Sequence, residues 1–86
     1  MAVVLPVVHM NGTTADELID NLRAVCDGLR ATEEALAKAA PNQRDYYPAG
    51  LGLWNAALLQ HSRRREAIET MLREINEEME GILAQE

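Results

Sequence analysis

Apolar residues recur along two long stretches of this chain at alternating steps of three and four positions. In the first stretch they are Leu18, Leu22, Val25, Leu29, Leu36 and Ala39, with Thr32 at the one polar step and Ile19 and Cys26 beside the stripe. In the second stretch they are Leu51, Trp54, Leu58, Ile68, Leu72, Ile75, Met79 and Ile82, with His61 and Arg65 as polar interruptions. Such spacing keeps one face of an α-helix apolar. The sequence therefore predicts two amphipathic helices, over about residues 15–40 and 51–84.

Local signals mark the ends of these helices. Thr14 followed by Glu17 fits a capping box, in which the hydroxyl accepts a hydrogen bond from a free N–H at the helix start. Pro41 disfavours helical backbone in the residue before it, so the first helix should end there. Residues 41–50, PNQRDYYPAG, combine prolines with glycine and predict a loop. Residues 14–86 are therefore expected to form an antiparallel helical hairpin.

The N-terminal residues 1–13 follow a different pattern. Residues 3–10, VVLPVVHM, are apolar and rich in β-branched side chains, and the turn pair Asn11-Gly12 follows them. This pattern predicts a short β-strand, with Pro6 at an edge or a bulge. No second strand pattern follows, so the strand must pair with another copy, lie in a groove or remain exposed. Pairing or docking in trans is the interpretation we favour.

Two helices hide one stripe each and cannot enclose a core alone, whereas a second hairpin would complete a helical bundle. A chain of 86 residues also buries only about 60% of its unfolded surface. We therefore expect an all-α fold: an antiparallel two-helix hairpin with a short N-terminal β-strand, assembled into a homo-oligomeric helical bundle. The second helix is the longer one, so its tail from Asn76 onward should overhang or pack against the N-terminal strand.

Composition and charge argue against several classes of function and indicate a cellular compartment. The formal net charge is -6, which argues against general nucleic-acid binding and against an anionic membrane surface. The single cysteine, Cys26, excludes an intrachain disulfide and fits a reducing compartment. The opening MAVVLPVVHM lacks a basic region and a small-residue cleavage site, so we do not expect a secretion signal. These features together predict a cytoplasmic protein.

All three aromatic residues, Tyr46, Tyr47 and Trp54, fall in or beside the loop, together with Asn42, Arg44 and Asp45. Flat tyrosine and guanidinium faces can stack on a base, and Arg and Asn can grip a phosphate or a base edge. The alternative is that the tyrosines plug the end of the bundle while Arg44 pairs with Asp45 or with a neighbouring chain.

Two further groups carry candidate chemistry. Asn11 and Thr13 precede a helix N-terminus, whose free N–H groups favour anions, although the alternative is an ordinary turn before a capped helix. His61 and Arg65 interrupt the apolar stripe of the second helix, with Arg64 beside them. They either fix the register of the assembly or line a site for an anionic ligand between subunits.

Catalysis has weak support. Carboxylates at Glu17 and Asp20, and at Glu74, Glu77 and Glu78, resemble the metal-binding helices of all-α nucleoside triphosphate pyrophosphohydrolases, but such runs are also typical of solvated helix faces. The cysteine and histidines lack metal-ligand spacing, and no nucleophile motif or phosphate-binding glycine loop is present. We expect no catalytic residue, no metal and no cofactor.

Two stretches together, residues 8–13 (VHMNGT) and 41–48 (PNQRDYYP), resemble small uncharacterised proteins of bacteriophages and prophages. The resemblance covers most of the chain and implies the order strand, turn, helix, loop, helix. In architecture the chain is similar to phage sponge proteins, which sequester cyclic nucleotide signals of bacterial immunity between subunits. That similarity implies an anti-defence protein that binds nucleotides in the cytoplasm of a bacterial host.

The first functional hypothesis is therefore a non-enzymatic, phage-type protein that captures a small anionic ligand between subunits. The two ends of a hairpin lie about 35 to 40 Å apart, so a composite site would combine different chains packed head to tail. The candidate binding residues are Asn42, Arg44, Asp45, Tyr46, Tyr47, Asn11, Thr13, His61, Arg64 and Arg65. The alternative is a protein–protein interaction module, an inhibitor of a host factor or a small structural adaptor, whose acidic faces meet a basic partner.

Overall fold

The predicted helical hairpin is confirmed. A computed structural model describes residues 3–85 and places helix α1 at Ala15–Lys38 and helix α2 at Leu51–Leu83. Two 3-10 helices, Gln43–Asp45 and Tyr47–Ala49, form the connection between them. The molecule is an elongated rod of 62 × 24 × 16 Å, as expected for two long helices side by side.

Local chemistry explains where the helices begin. Thr14 has extended backbone, and its Oγ1 accepts a hydrogen bond of 3.1 Å from the N–H of Glu17, which is the hydroxyl half of the predicted capping box. Asp16 and Glu17 stand in the first turn, where the positive end of the helix dipole favours them. Helix α2 follows Gly50, whose φ of 96° lies in the left-handed region that glycine adopts without strain.

The main core of the hairpin lies at the end away from the connection. Ala15 and Ile19 of α1 pack with Ile82 of α2, which is fully buried. Val8, Leu18, Leu22 and Met79 pack around these three residues. Contact between the start of α1 and the end of α2 makes the helices antiparallel.

The packing stripe of α1 is rotated from the predicted one. Its buried residues are Ala15, Ile19 and Cys26, whereas Val25, which belongs to the predicted stripe, is 47% exposed. The apolar face of α1 is wider than the strip that one partner helix can cover. Small side chains at Ala15 and Cys26 let α2 approach closely there, and the flank that carries Val25 remains uncovered.

The predicted β-strand over residues 3–10 is wrong for the single chain, because the described residues contain no strand. The segment from Val3 to His9 has no regular secondary structure. The side chain of Gln85 forms hydrogen bonds with its backbone of the kind that a neighbouring strand would form. The Oε1 of Gln85 accepts from the N–H of Val8 at 3.0 Å, and its Nε2 donates to the carbonyl of Pro6 at 2.8 Å. We call residues 3–13 the arm. Within the single chain it docks on the end of α2, and docking in trans stays a prediction.

Side-chain packing adds to this docking. A Cβ placed on Gly81 would lie 2.5 Å from Cδ1 of Leu5, so the glycine leaves the space that Leu5 occupies. Val8 packs against the cluster around Ile82. The tail of α2 thus packs against the arm, which is one of the two arrangements expected for it.

The single chain exposes far more surface than a compact domain. Its accessible area is 6510 Å², whereas a compact monomer of 9.5 kDa exposes about 5,000 Å². The radius of gyration is 18.4 Å, against about 12 Å for a compact domain of this length. Within residues 3–85, neither helix has the length and apolar character that crossing a membrane requires.

Replacing Gly28 by Ala should raise the free energy of unfolding by about 1 kcal/mol, because alanine favours the helix interior and a Cβ there meets no atom within 4 Å. For a domain of this size, that corresponds to a melting temperature about 4–8 °C higher. Gly81→Ala is the matched control. It should give no such gain, because the new Cβ displaces Leu5. Thermal unfolding followed by circular dichroism measures both changes, and a loss of stability in Gly28→Ala would contradict the open face seen here.

Replacing Gln85 by Ala should release the arm while the helices remain folded, because both hydrogen bonds to the arm backbone are lost. Each such bond contributes about 0.5–1.5 kcal/mol. Hydrogen exchange at the Val8 amide reports the release. Gln85→Glu should have an intermediate effect, since its carboxylate still accepts from Val8 but cannot donate to Pro6. Unchanged Val8 exchange in Gln85→Ala would show that the apolar contacts alone hold the arm.

Candidate functional site

The tip loop, residues 41–50, has a defined backbone despite its exposure. Asn42 begins the first 3-10 helix, and its Oδ1 accepts from the backbone N–H of Arg44 at 3.0 Å. The N–H of Tyr46 then bonds to the carbonyl of Gln43, and the N–H of Ala49 to that of Tyr46, both at 3.0 Å. Two consecutive turns with Pro48 in the second therefore fix the positions of the side chains between them.

The two tyrosines have different environments. The ring of Tyr46 lies 5.9 Å from that of Trp54 at an angle of 41°, a tilted aromatic pair that fastens the loop to the first turns of α2. Tyr47 points outward and is 68% exposed. Packing at the end of the hairpin thus accounts for Tyr46, whereas Tyr47 presents a free ring face to solvent.

Arg44, three residues before Tyr47 in the tip loop, has no carboxylate partner among the described residues. Its Nε donates to Oδ1 of Asn42 at 3.3 Å, the same oxygen that caps the turn. The ion pairs found among residues 3–85 join Arg23 to Asp20 and Arg65 to Glu69, so Arg44 does not pair with Asp45 within the chain. Its other expected partner, a neighbouring chain, stays a prediction. Asn42 is committed to the loop backbone, while most of the Arg44 guanidinium remains available.

The arm end of the molecule carries the second candidate group. The N–H of Gly12 donates to the carbonyl of His9 at 3.2 Å, closing the turn, and both Asn11 and Thr13 are exposed. An open depression of about 360 Å³ lies here, lined by Val8, His9, Met10, Gly12, Thr14, Ala15 and Asp16. The carboxylate of Asp16 opposes an anion in this depression, and neither Asn11 nor Thr13 lines it.

The third group does not form a basic lining within the hairpin. His61 is half-buried, but Arg65 is exposed and pairs with Glu69 at 3.8 Å. Arg64 is also exposed. A guanidinium between the helices would lose hydration without a carboxylate to replace it. Within one chain, Arg65 therefore lies at the surface beside Glu69 rather than buried between the helices, and a role between subunits stays a prediction.

The single chain keeps these groups apart. The tip loop follows the C-terminal end of α1, and Asn11 and Thr13 precede its N-terminal end, so about 36 Å of helix separates them. No group of three histidine, cysteine or carboxylate side chains within the described part of the chain is arranged to hold a metal ion. Within a single chain, each candidate group could therefore contact only one side of a ligand.

Sequence reasoning missed two features of the molecule. Gln85 holds the arm, and its signal was an amide directly after the last helical turn, opposite an unpaired extended segment. The other feature is the pair Leu53 and Leu59, which lie off the predicted stripe and are 49% and 52% exposed. Their signal was the apolar character of α2 on more than one face over its first turns.

Comparison of the chain with protein-family models, curated proteins and solved structures finds no match.

Asn42→Ala should loosen the tip loop, because the N–H of Arg44 loses its acceptor, and Asn42→Asp should preserve the loop, because a carboxylate oxygen accepts the same bond. Trp54 is the sole tryptophan and pairs with Tyr46, so its fluorescence reports the loop. We expect a shifted emission spectrum in the alanine variant and a wild-type spectrum in the aspartate variant. Equal spectra for all three proteins would show that the aromatic pair holds the loop without the cap.

Proposed function

We propose that this chain is a non-enzymatic binding protein of the bacteriophage type, which works as a homo-oligomer and captures a small anionic ligand between its subunits. The observation that supports this proposal is the tip loop, where the exposed ring of Tyr47 lies three residues after Arg44, whose guanidinium has no carboxylate partner among residues 3–85. A nucleotide has the two features that these groups recognise, a phosphate and a planar base.

The chemistry of the tip loop fits such a ligand. A guanidinium can donate two parallel hydrogen bonds to a phosphate, and a tyrosine ring can stack on a base of any identity. Because the 3-10 turns already fix the loop, ligand binding has less conformational entropy to remove. The net charge of -6 weakens general attraction to anions, so capture depends on these few local contacts.

The surface shape supports a site that two subunits share. Small-molecule sites bury about 70–90% of a ligand, but the exposed Tyr47 and Arg44 alone would leave one side of it in water. The proposal therefore assigns the other wall to a second chain. Asn11 and Thr13 supply polar groups from its arm end. His61, Arg64 and Arg65 lie about 15–21 Å along α2 from the tip loop, so a small ligand held by the loop would not reach them.

A second function, a protein–protein interaction module, is favoured by a different observation. The first turns of α2 expose Leu51, Leu53, Leu58 and Leu59, and single-domain proteins rarely leave such clusters uncovered. The acidic residues Glu74, Glu77 and Glu80 on the same helix would meet a basic partner, a host factor or a phage structural protein.

The capture proposal predicts that a cyclic dinucleotide, used as the probe, stabilises the protein against heat. A ligand at about 100 times its Kd adds about 2.7 kcal/mol, which corresponds to a rise of about 10–20 °C in melting temperature for a domain of this size. Arg44→Ala combined with Tyr47→Ala should abolish the rise and leave the oligomer intact. Tyr47→Phe, which keeps the ring face, should retain it.

Arg30→Ala is the charge-matched control, because it removes an exposed cation from α1 away from the loop. Native mass spectrometry of the purified protein adds an unbiased readout, since a copurified nucleotide would appear as a mass adduct. Loss of the oligomer in the Arg44 and Tyr47 double variant would show that the loop is structural. An unchanged melting temperature across linear and cyclic nucleotides, without any adduct, would favour the interaction module.

A further inference from the structure

The beginning of α2 carries no charge and exposes apolar side chains on more than one face. Residues 46–62 contain no Asp, Glu, Lys or Arg, although these residues make up 26% of the chain. Within this run, Leu51, Leu53, Leu58 and Leu59 are 71%, 49%, 43% and 52% exposed. We call these four leucines the tip patch. Clusters of exposed apolar side chains are typical of surfaces that another molecule covers.

A second unpartnered apolar surface lies at the opposite end of the molecule. Docking by Gln85 turns Pro6 and Val8 inward and leaves Val4, Val7 and Met10 exposed at 88%, 74% and 97%. Leu83, at the end of α2, is 53% exposed. We call these four residues the arm patch. Residues 3–10, like the tip, contain no carboxylate, lysine or arginine.

From these two surfaces we infer that a second copy of this chain covers them: two hairpins associate antiparallel, with the tip patch of each on the arm patch of the other. This inference rests on the homo-oligomer of the proposed function and adds its orientation and its contacts. In a two-fold symmetric pair, the same contact forms twice and no patch is left over, so the assembly closes.

The exposed area agrees with one such partner. The chain exposes about 1,500 Å² more than a compact monomer of its mass, and a stable dimer buries about 800 Å² on each partner. The excess is therefore sufficient for a standard interface. The two patches lie at opposite ends of a rod 62 Å long, so one copy reaches both patches only by lying alongside.

The order of charges along α2 favours the antiparallel orientation. An uncharged run to Ser62 is followed by Arg63, Arg64 and Arg65, and then by a segment with Glu66, Glu69, Glu74, Glu77, Glu78 and Glu80. In a parallel pair, the arginines would face arginines and the glutamates would face glutamates. In an antiparallel pair, the uncharged run of one chain meets the acidic end of the other, and the arginines lie nearer to Glu69 and Glu74. Like charges across an interface disfavour the parallel pair.

The antiparallel pair also brings the two candidate groups together. The tip loop of one chain, with Arg44 and Tyr47, comes to the arm end of its partner, where Asn11 and Thr13 lie. A single chain keeps these groups about 36 Å apart, whereas the pair creates two equivalent clefts. The inferred assembly therefore supplies the shared site that the proposed function requires.

The first experiment measures mass and disruption by sedimentation equilibrium. We expect wild-type protein to have twice the chain mass of 9.5 kDa or an even multiple of it. Leu51→Asp with Leu58→Asp, and separately Val4→Asp with Val7→Asp, should each weaken association at least about 100-fold. All four side chains are exposed in the single chain, so the helical circular dichroism should persist. Ala24→Asp with Ala31→Asp, on exposed positions of α1, is the matched control and should leave the mass unchanged.

The second experiment measures orientation by pulsed electron paramagnetic resonance. A spin label at Asn55→Cys, near the tip, should give a distance of about 36 Å between the two copies, because each label lies about 12 residues from the middle of α2. A label at Glu66→Cys, near the middle, should give a short distance in either orientation and controls for labelling. Wild-type protein tests whether Cys26, which is 2% exposed, takes up label.

A monomer at high concentration, a short distance from the Asn55 label, or disruption by the tip variant alone would each overturn the inference. These results are separable from the ligand experiment. An antiparallel dimer that no nucleotide stabilises would retain the inference and reject capture, and a parallel dimer that binds the probe would do the reverse.

Discussion

Two packed helices can bury only the sides that face each other, and this constraint determines how much apolar surface the molecule leaves exposed. Helices α1 and α2 bury only Ala15, Ile19, Cys26, Ile68 and Ile82 in the described part of the chain. Such a small core contributes little hydrophobic stabilisation against the entropy of ordering two long helices. The remaining apolar side chains stay on the surface. The positions of these exposed side chains, rather than the core, indicate where another molecule could contact the chain.

The two ends of the hairpin differ in how far they cover their apolar side chains. At the arm end, the chain covers itself: Leu5 fills the space over Gly81, Val8 joins the core, and Gln85 satisfies the backbone of the arm. At the tip, one tyrosine packs on Trp54 and the rest of the apolar surface is uncovered. The arm end therefore joins the first and last described residues of the chain, and both ends leave apolar side chains exposed.

Periodic patterns predicted the helices and their start, because spacing and capping are local properties of the chain. Thr14 binds the N–H of Glu17 as its position suggested, and Pro41 lies just beyond the end of α1. The strand was wrong because β-propensity describes the segment alone, whereas Gln85, 77 positions from Val8, decides what it pairs with. Similarly, spacing places Arg65 on the line of the stripe but does not reveal that its guanidinium lies at the surface, where it stays hydrated and pairs with Glu69.

The location of the core at the open end of the hairpin has a consequence for how the chain folds. Helical hairpins usually gain contacts early beside their turn, where only a short loop must close. Here the turn end offers the Tyr46–Trp54 pair and little buried surface, and the main cluster joins Ile19 to Ile82, about 60 residues apart in sequence. Closing the long loop between Ile19 and Ile82 therefore removes most of the conformational entropy before burial of their cluster compensates for it. The isolated chain has a folding barrier set by its most distant contacts, despite its simple helical topology.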